Sequence, residues 1–339
     1  AYHTTRRTGA SGFQMAEEEE DTHVFLQISS DIHLEFRTGP FAGALKASDP
    51  PCEDPYMETF LSILSPPELQ PGKAVHILAL LGDIGIPGTH IYRSFVEWCS
   101  PRWSHVLLLP GNHEYYNNLD VDRFLRFGKE PRPQSLRERD IMMQDMCAGL
   151  PNVHFLSWET GPFDYVSPAG KLYLFLGTTL WSNVPEESRP MVQHFLNDYH
   201  VSVVEDASAE RGLRLLTVAD TQAIFDESLQ WLQEQLDQPS SKEAHRVIVL
   251  THHTPSTKGT SDPEYETEGN HLNHGFSSDL LHLMGKMHVW AYGHTHFNNR
   301  RMVSGTLLMS NQMGYPEEKD TSYRIDAQLD LTEDIASQL

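Results

Sequence analysis

Residues 75–85 read VHILALLGDIG. The first seven positions are apolar except for one histidine, and the run stops at a glycine followed by an aspartate. A continuous apolar run of this length reads as a strand buried on both faces, and such strands belong to sheets covered by helices. The same design recurs in VFLQIS (24–29), HVLLLP (105–110), VHFLS (153–157), LYLFLGT (172–178), RVIVLT (246–251), MHVWAY (287–292) and GTLLMSN (305–311). Helical stripes lie between several of them. Ile91, Phe95 and Trp98 share one face of a helix starting near Gly88-Thr89, and Phe225, Leu229, Leu232 and Leu236 share one face of a helix over about 218–237. Ser277-Ser278 predicts the cap of a short helix running to Met284. Strands alternating with helices predict an α/β layered fold.

The outer bounds follow from composition. The chain has 339 residues, 39% of them hydrophobic. Its apolar runs are far too short to span a bilayer, so no membrane partner is expected. AYHTTRRTGASGFQ (1–14) reads as an added tail before a natural start at Met15, without the pattern of a signal peptide. Residues 15–22, with AEEEED at 16–21, read as a solvated acidic tail. Residues 23–339 are expected to form a single domain with loop insertions near 37–56 and 254–275, both rich in Pro, Gly, Ser and Thr. Cys52, Cys99 and Cys147 are scattered and form no CxxC pair, which suits free thiols in a reducing, cytoplasmic setting. With 47 acidic against 25 basic residues the net charge is −22, which disfavours nucleic acid as a partner. Oligomeric state is not legible.

Nearly every expected strand ends in a polar cluster. Asp31 and His33 follow the first, Asp83 the second, Asn112 and His113 the third, His252 and His253 the RVIVLT run, and His294 and His296 the MHVWAY run. Spaced i and i+2, the last two would point the same way on extended backbone. Taken singly, each cluster has a plain explanation, since a histidine beside a strand is usually a hydrogen-bonded structural residue. Jointly five chain segments deliver Asp, Asn and His donors to the carboxyl ends of the strands, where α/β sheets gather their ligands. Imidazole, carboxylate and amide donors without thiolate suit divalent Mn, Fe, Zn or similar ions. There are too many for one tetrahedral ion, and a carboxylate can bridge two.

The ordered blocks D-x-H (31–33), G-D (82–83), G-N-H-E (111–114), His252 and G-H-x-H (293–296) resemble the calcineurin-like metallophosphoesterase superfamily over about residues 23–310. That resemblance implies a sandwich of two mixed β-sheets flanked by helices. It also implies two divalent metal ions: Asp31, His33 and His296 on the first, Asn112, His252 and His294 on the second, and Asp83 bridging both. A metal-bridging hydroxide would attack phosphorus in line, His113 would protonate the leaving oxygen, and Glu114 would support the site from behind.

Departures from the pattern bear on substrate. After Asp83 the chain reads IGIPG, without the second aspartate or the Arg-Gly of protein Ser/Thr phosphatases, and the tyrosine ligand of purple acid phosphatases is not evident. A small phosphodiester or phosphomonoester, nucleotide-like in one version, is therefore the expected substrate. Trp181, Asn183 and His253 are candidate substrate contacts. Asn270, His271, Asn273 and His274 could line the pocket as a lid. The alternatives are a non-catalytic scaffold of the same fold, which need not keep His113, and a nuclease, which would need basic side chains converging on the metals.

Overall fold

The eight apolar runs form β-strands, and in six of those strands alternate side chains serve two different cores. In the computed structural model, which describes residues 22–37, 54–318 and 322–339, the strands are β1 (His23–Ser29), β2 (Ala74–Leu81), β3 (His105–Leu109), β4 (Val153–Phe155), β5 (Phe163–Val166), β6 (Leu172–Thr178), β7 (Val203–Glu205), β8 (Leu213–Leu215), β9 (Arg246–Thr251), β10 (Val289–Tyr292), β11 (Arg300–Val303), β12 (Thr306–Ser310) and β13 (Gln328–Asp330). In β2, Ile77, Ala79 and Leu81 join Leu26, Ile28, Phe175, Ile248 and Leu250 in one apolar cluster. Leu78 and Leu80 join Phe60, Phe95 and Trp98 in another. Both faces are buried, so the period-two alternation of a half-exposed strand never shows in the sequence.

Two mixed sheets result, in the orders β13-β1-β2-β3-β4 and β11-β12-β10-β9-β6-β5. β1 to β4 run parallel, as do β12, β10, β9 and β6. Antiparallel β13, β11 and β5 complete the edges. The cluster containing Ile77 takes residues from both sheets, which makes them the two inner layers of a sandwich. Parallel strands put all their carboxyl ends on one edge of each sheet, and an isolated bridge from Ser30 to Gln312 ties the two edges together.

The helices are α1 (Met57–Ile63), α2 (His90–Cys99), α3 (Val121–Phe127), α4 (Leu136–Ala148), α5 (Arg189–Phe195), α6 (Asp198–Val201), α7 (Val218–Asp237) and α8 (Pro239–Glu243). Both expected stripes are present. α2 begins where the Thr89 hydroxyl accepts from Tyr92 N, and it buries Ile91, Phe95 and Trp98. α7 begins in a capping box of Thr217 and Asp220 and buries Phe225, Leu232 and Leu236, with Leu229 partly covered.

The helix expected after Ser277-Ser278 does not form. Ser277 bridges to Thr254, and only a 3-10 turn at Leu281–Leu283 follows. Both serines bond elsewhere: the Ser277 hydroxyl donates to Asn273 O, and that of Ser278 accepts from Asn183 N. The expected tails at 1–14 and 15–22, apart from Thr22, and most of the 37–56 insertion lie outside the described residues. Among the described residues no helix is long and apolar enough to cross a membrane.

Candidate metal centre

The strand ends after β1, β2 and β10 deliver their polar residues through sharp turns. Asp31, His33, Asp83, His294 and His296 all have φ between +51° and +79°. Left-handed backbone is uncommon outside glycine, although Asp and His tolerate it best, and each case costs about 1–3 kcal/mol unless its surroundings hold it. Here they do. Asp31 N donates to Gly82 O at 3.0 Å, His33 N to Asp83 O at 2.9 Å and Leu34 N to Ile84 O at 2.9 Å, zipping the first two loops together. His294 N donates to the Asp31 carboxylate at 3.0 Å. The expectation that His294 and His296 are aligned by a strand pleat therefore needs correcting, because both leave the extended conformation after β10.

Glycine is required at two of these turns. A Cβ on Gly111 would collide with the Asp83 carboxylate and the His252 ring, and one on Gly293 would lie 2.8 Å from Asp31 Oδ2. The glycines of the G-N-H-E and G-H-x-H blocks are there because the side chains converge so closely.

The convergence has a definite order. Asp31, His33 and His296 offer ligand atoms within 4.8 Å of one another, and so do Asp83, His252 and His294. Asn112 joins the second group, its Oδ1 lying 3.0 Å from His252 Nε2. Asp83 stands between the groups: Oδ2 is 3.9 Å from His33 Nε2 and Oδ1 is 3.4 Å from His252 Nε2. Three imidazoles are held from behind by acceptors that take the Nδ1 proton. His252 Nδ1 donates to Leu81 O at 2.8 Å, His296 Nδ1 to Glu318 at 2.8 Å and His33 Nδ1 to Glu35 at 3.2 Å. All three Nε2 atoms are thereby turned inward, the arrangement that metal-ligating histidines need.

The sequence matches the family described as Calcineurin-like phosphoesterase over residues 26–298. The chain belongs to that family. It is a metal-dependent phosphoester hydrolase, as its membership and the clustered nitrogen and oxygen donors together require. Among curated proteins it is 31% identical over 253 residues to uncharacterized protein L509 of Acanthamoeba polyphaga mimivirus, covering 73% of this chain and 81% of that one. Among solved structures, the phosphopantetheinyl hydrolase PptH of Mycobacterium tuberculosis superposes with a TM-score of 0.56, covering 89% of this chain and 95% of that one. At 15% identity this likeness shows the fold alone.

The phosphoesterase's donors fit divalent ions on physical grounds. His294 Nε2 is buried with no hydrogen-bond partner among the described residues. Burial and the neighbouring His253 and His252 rings hold the His294 pKa well below its usual value, so the ring keeps a free lone pair. His33 Nε2 and His296 Nε2 face each other at 3.1 Å, a repulsive pair of lone pairs unless a proton or a cation sits with them. Thiolate is absent from the donor set, which suits Mn, Fe or Zn.

Sequence reasoning understated or missed several supports. Glu114 is fully buried, and its carboxylate accepts from Asp83 N, Ile84 N, Gly85 N and Gly111 N at 2.7–3.3 Å, clasping two loops at once. Glu35 Oε1 lies 3.0 Å from His113 Nδ1 as well as touching His33. Burial opposes charge on His113, but Asp83 and Glu35 outweigh it and raise its pKa to about 9. Asp198, at the start of α6, accepts from Asn112 Nδ2 at 2.8 Å and so turns the amide oxygen toward His252. The Tyr315 hydroxyl sits 3.3 Å from His113 Nε2. A single acid or tyrosine in an irregular segment carries no sequence signal of such a role.

These residues open onto a cleft of about 400 Å³ whose walls include Tyr116, Asp198, Asn270, Asn273 and Tyr315. The expected substrate contacts are placed differently. His253 lies fully buried behind His294, ring centroids 4.0 Å apart. Trp181 packs against His253 and lines a separate cleft with Tyr115 and Asp140. Asn183 accepts from Gln222 of α7. Of the expected lid, Asn270 and Asn273 line the cleft, His271 pairs with the Ser188 hydroxyl, and His274 does not line it. None of Trp181, Asn183, His253 and His274 reaches the cleft wall.

Proposed function

We propose that this phosphoesterase is a dinuclear enzyme acting on a small phosphate ester. In this reading Asp31, His33 and His296 hold one divalent ion, Asn112, His252 and His294 hold the other, and Asp83 serves both. The observation that carries it is the Asp83 carboxylate, whose two oxygens face two separate donor groups. Bound divalent ions supply Lewis acidity toward phosphoryl oxygens and bring water within reach of deprotonation near neutral pH.

The chain's own residues do the rest. Glu35 accepts the Nδ1 proton of His113, which leaves Nε2 facing the floor of the cleft, 4.0 Å from Asp83 Oδ2. His113 is positioned to give an Nε2 proton to the departing alcohol oxygen. Asp198 fixes the Asn112 amide, and Glu114 fixes the loops that carry Asp83 and Asn112. Cys99 and Cys147 are buried free thiols, which supports a reducing, cytoplasmic setting. The test is elemental analysis of the purified protein combined with a screen of mono- and diester substrates. About two transition ions per chain and metal-dependent turnover are expected; turnover by fully demetallated protein would sink the reading.

A further inference from the structure

Apart from the candidate metal ligands, His113 and the two acids Asp198 and Glu318, the described side chains lining the cleft are uncharged, and none of them is a lysine or arginine. Its walls combine aromatic and apolar side chains with the neutral polar Asn197, Ser261, Asn270, Asn273 and Thr295. Tyr116 stacks on His113 at 4.2 Å, Phe276 on His294 at 4.8 Å, and Tyr315 meets the His296 ring at 4.6 Å. Leu272, Phe195 and Tyr265 continue this surface outward. Phe195 and Tyr265 are 59% and 56% exposed at the mouth, and large aromatics left in water around a pocket mark a place where apolar surface is to be covered. Two nearby arginines are committed elsewhere: Arg37 donates to the Ile32 and Gly314 carbonyls, and Arg301 to Lys258 O.

The charge balance is therefore one-sided. The donor groups at the floor accommodate one phosphate through the ions they hold. Beyond the floor, no lysine or arginine among the described lining residues is placed to hold a second anionic group, and the Asp198 and Glu318 carboxylates stand on the same walls. A phosphate ester whose remaining portion is uncharged meets apolar surface at Phe195, Leu272 and Phe276 and neutral polar groups beside it.

We propose that the substrate is an organic phosphate ester carrying its negative charge on one phosphate alone, joined to a neutral alcohol with a flat or apolar body that packs against Phe195, Leu272 and Phe276. This rests on the phosphoesterase reading above and narrows it, against nucleic acids, nucleoside polyphosphates and phosphorylated acids. Hydrolysis adds a water oxygen to phosphorus, breaks the phosphorus–oxygen ester bond and returns the alcohol with a proton on its oxygen.

The test compares 2-phenylethyl phosphate with 3-phosphoglycerate on metal-loaded enzyme, with 4-nitrophenyl phosphate and its bis ester as controls for the chemistry. Burying the ring adds about tenfold and the repelled carboxylate removes about tenfold, so kcat/KM should favour the phenylethyl ester by about 100-fold. Binding supplies a readout independent of turnover: calorimetry with 2-phenylethylphosphonate and phosphonoacetate, which have no ester bond to hydrolyse, should show the same order. Phe195→Arg, at an exposed position outside the metal groups, should narrow the gap from both sides. Equal or better binding and turnover of the carboxylate compounds, with the nitrophenyl controls active, overturns the substrate class and leaves the phosphoesterase reading intact. Failure of every ester, controls included, overturns the phosphoesterase reading, and the phosphonate affinities still decide what the cleft prefers.

Discussion

Glu35 Oε1 lies 3.0 Å from His113 Nδ1, and 78 residues of chain separate the two. The acid comes from the segment that also supplies Asp31 and His33, so one turn provides donors to the metal centre and an acceptor to the proposed acid. Glu35→Gln keeps the shape but offers a neutral acceptor or a misplaced donor to His113. At saturating metal, kcat for alkyl phosphates should fall about 100-fold, with a much smaller loss for nitrophenyl phosphate, whose leaving group needs no proton. Equal losses for both esters would remove His113 and Glu35 from proton transfer.

Asp83 faces both donor groups at once. Asp83→Asn keeps the size and one carbonyl oxygen but replaces the second oxygen with an amide, which cannot ligate. Metal content should drop from about two ions to one or fewer, and activity should fall below about 1%, in line with the loss of two-ion chemistry. Elemental analysis beside single-substrate kinetics decides it. Full activity in a chain that retains two ions would show that the carboxylate bridges nothing.

The legible part of the fold and the hidden part differ for physical reasons. β2, β3, β6 and β9 are buried on both faces, so their runs are apolar without interruption and stand out in the sequence. Most edge strands do not. β5 reads FDYV with its side chains alternately half-buried and exposed, and β7, β8 and β13 are three residues each, formed because a neighbour offers a free edge. The site divides the same way. Residues at strand ends were visible because topology gathers those ends. Glu35, Asp198, Tyr315 and Glu318 matter through partners far away in sequence, which no local pattern encodes. The left-handed backbone that aims His294 and His296 was hidden too, because it arises from the crowding of three loops rather than from the His-Thr-His spacing itself.

Glu114 accepts four backbone N–H groups and is fully buried. Glu114→Ala leaves all four donors without a partner and opens a hole beneath Asp83. Stranding a buried donor costs about 1–3 kcal/mol each, so even with partial rearrangement a loss of at least about 3 kcal/mol is expected in urea unfolding. Glu114→Gln keeps one accepting oxygen and two of the bonds, and should fall between the variant and the natural protein. An alanine variant of unchanged stability would mean that the loops hold themselves.

Asp140 tests the electrostatics away from the metal groups. It is largely buried beside Tyr115, whose hydroxyl donates to it at 2.8 Å. Burial dominates and, with Glu159 adding to it, outweighs the Tyr115 hydrogen bond, raising the Asp140 pKa from 3.8 to about 7. Between those two values the folded chain keeps a proton that the unfolded chain has released. Stability conferred by that proton is complete below about pH 4, declines as pH rises toward 7 and is gone above it. Three pKa units correspond to about 4 kcal/mol as an upper bound. Asp140→Asn is neutral throughout and removes this dependence, so the variant should gain on the natural protein from about pH 4 to about pH 7 in urea unfolding and level off above it. Parallel stability curves would mean that Asp140 ionises as it does in the unfolded chain, and that its burial carries no such penalty.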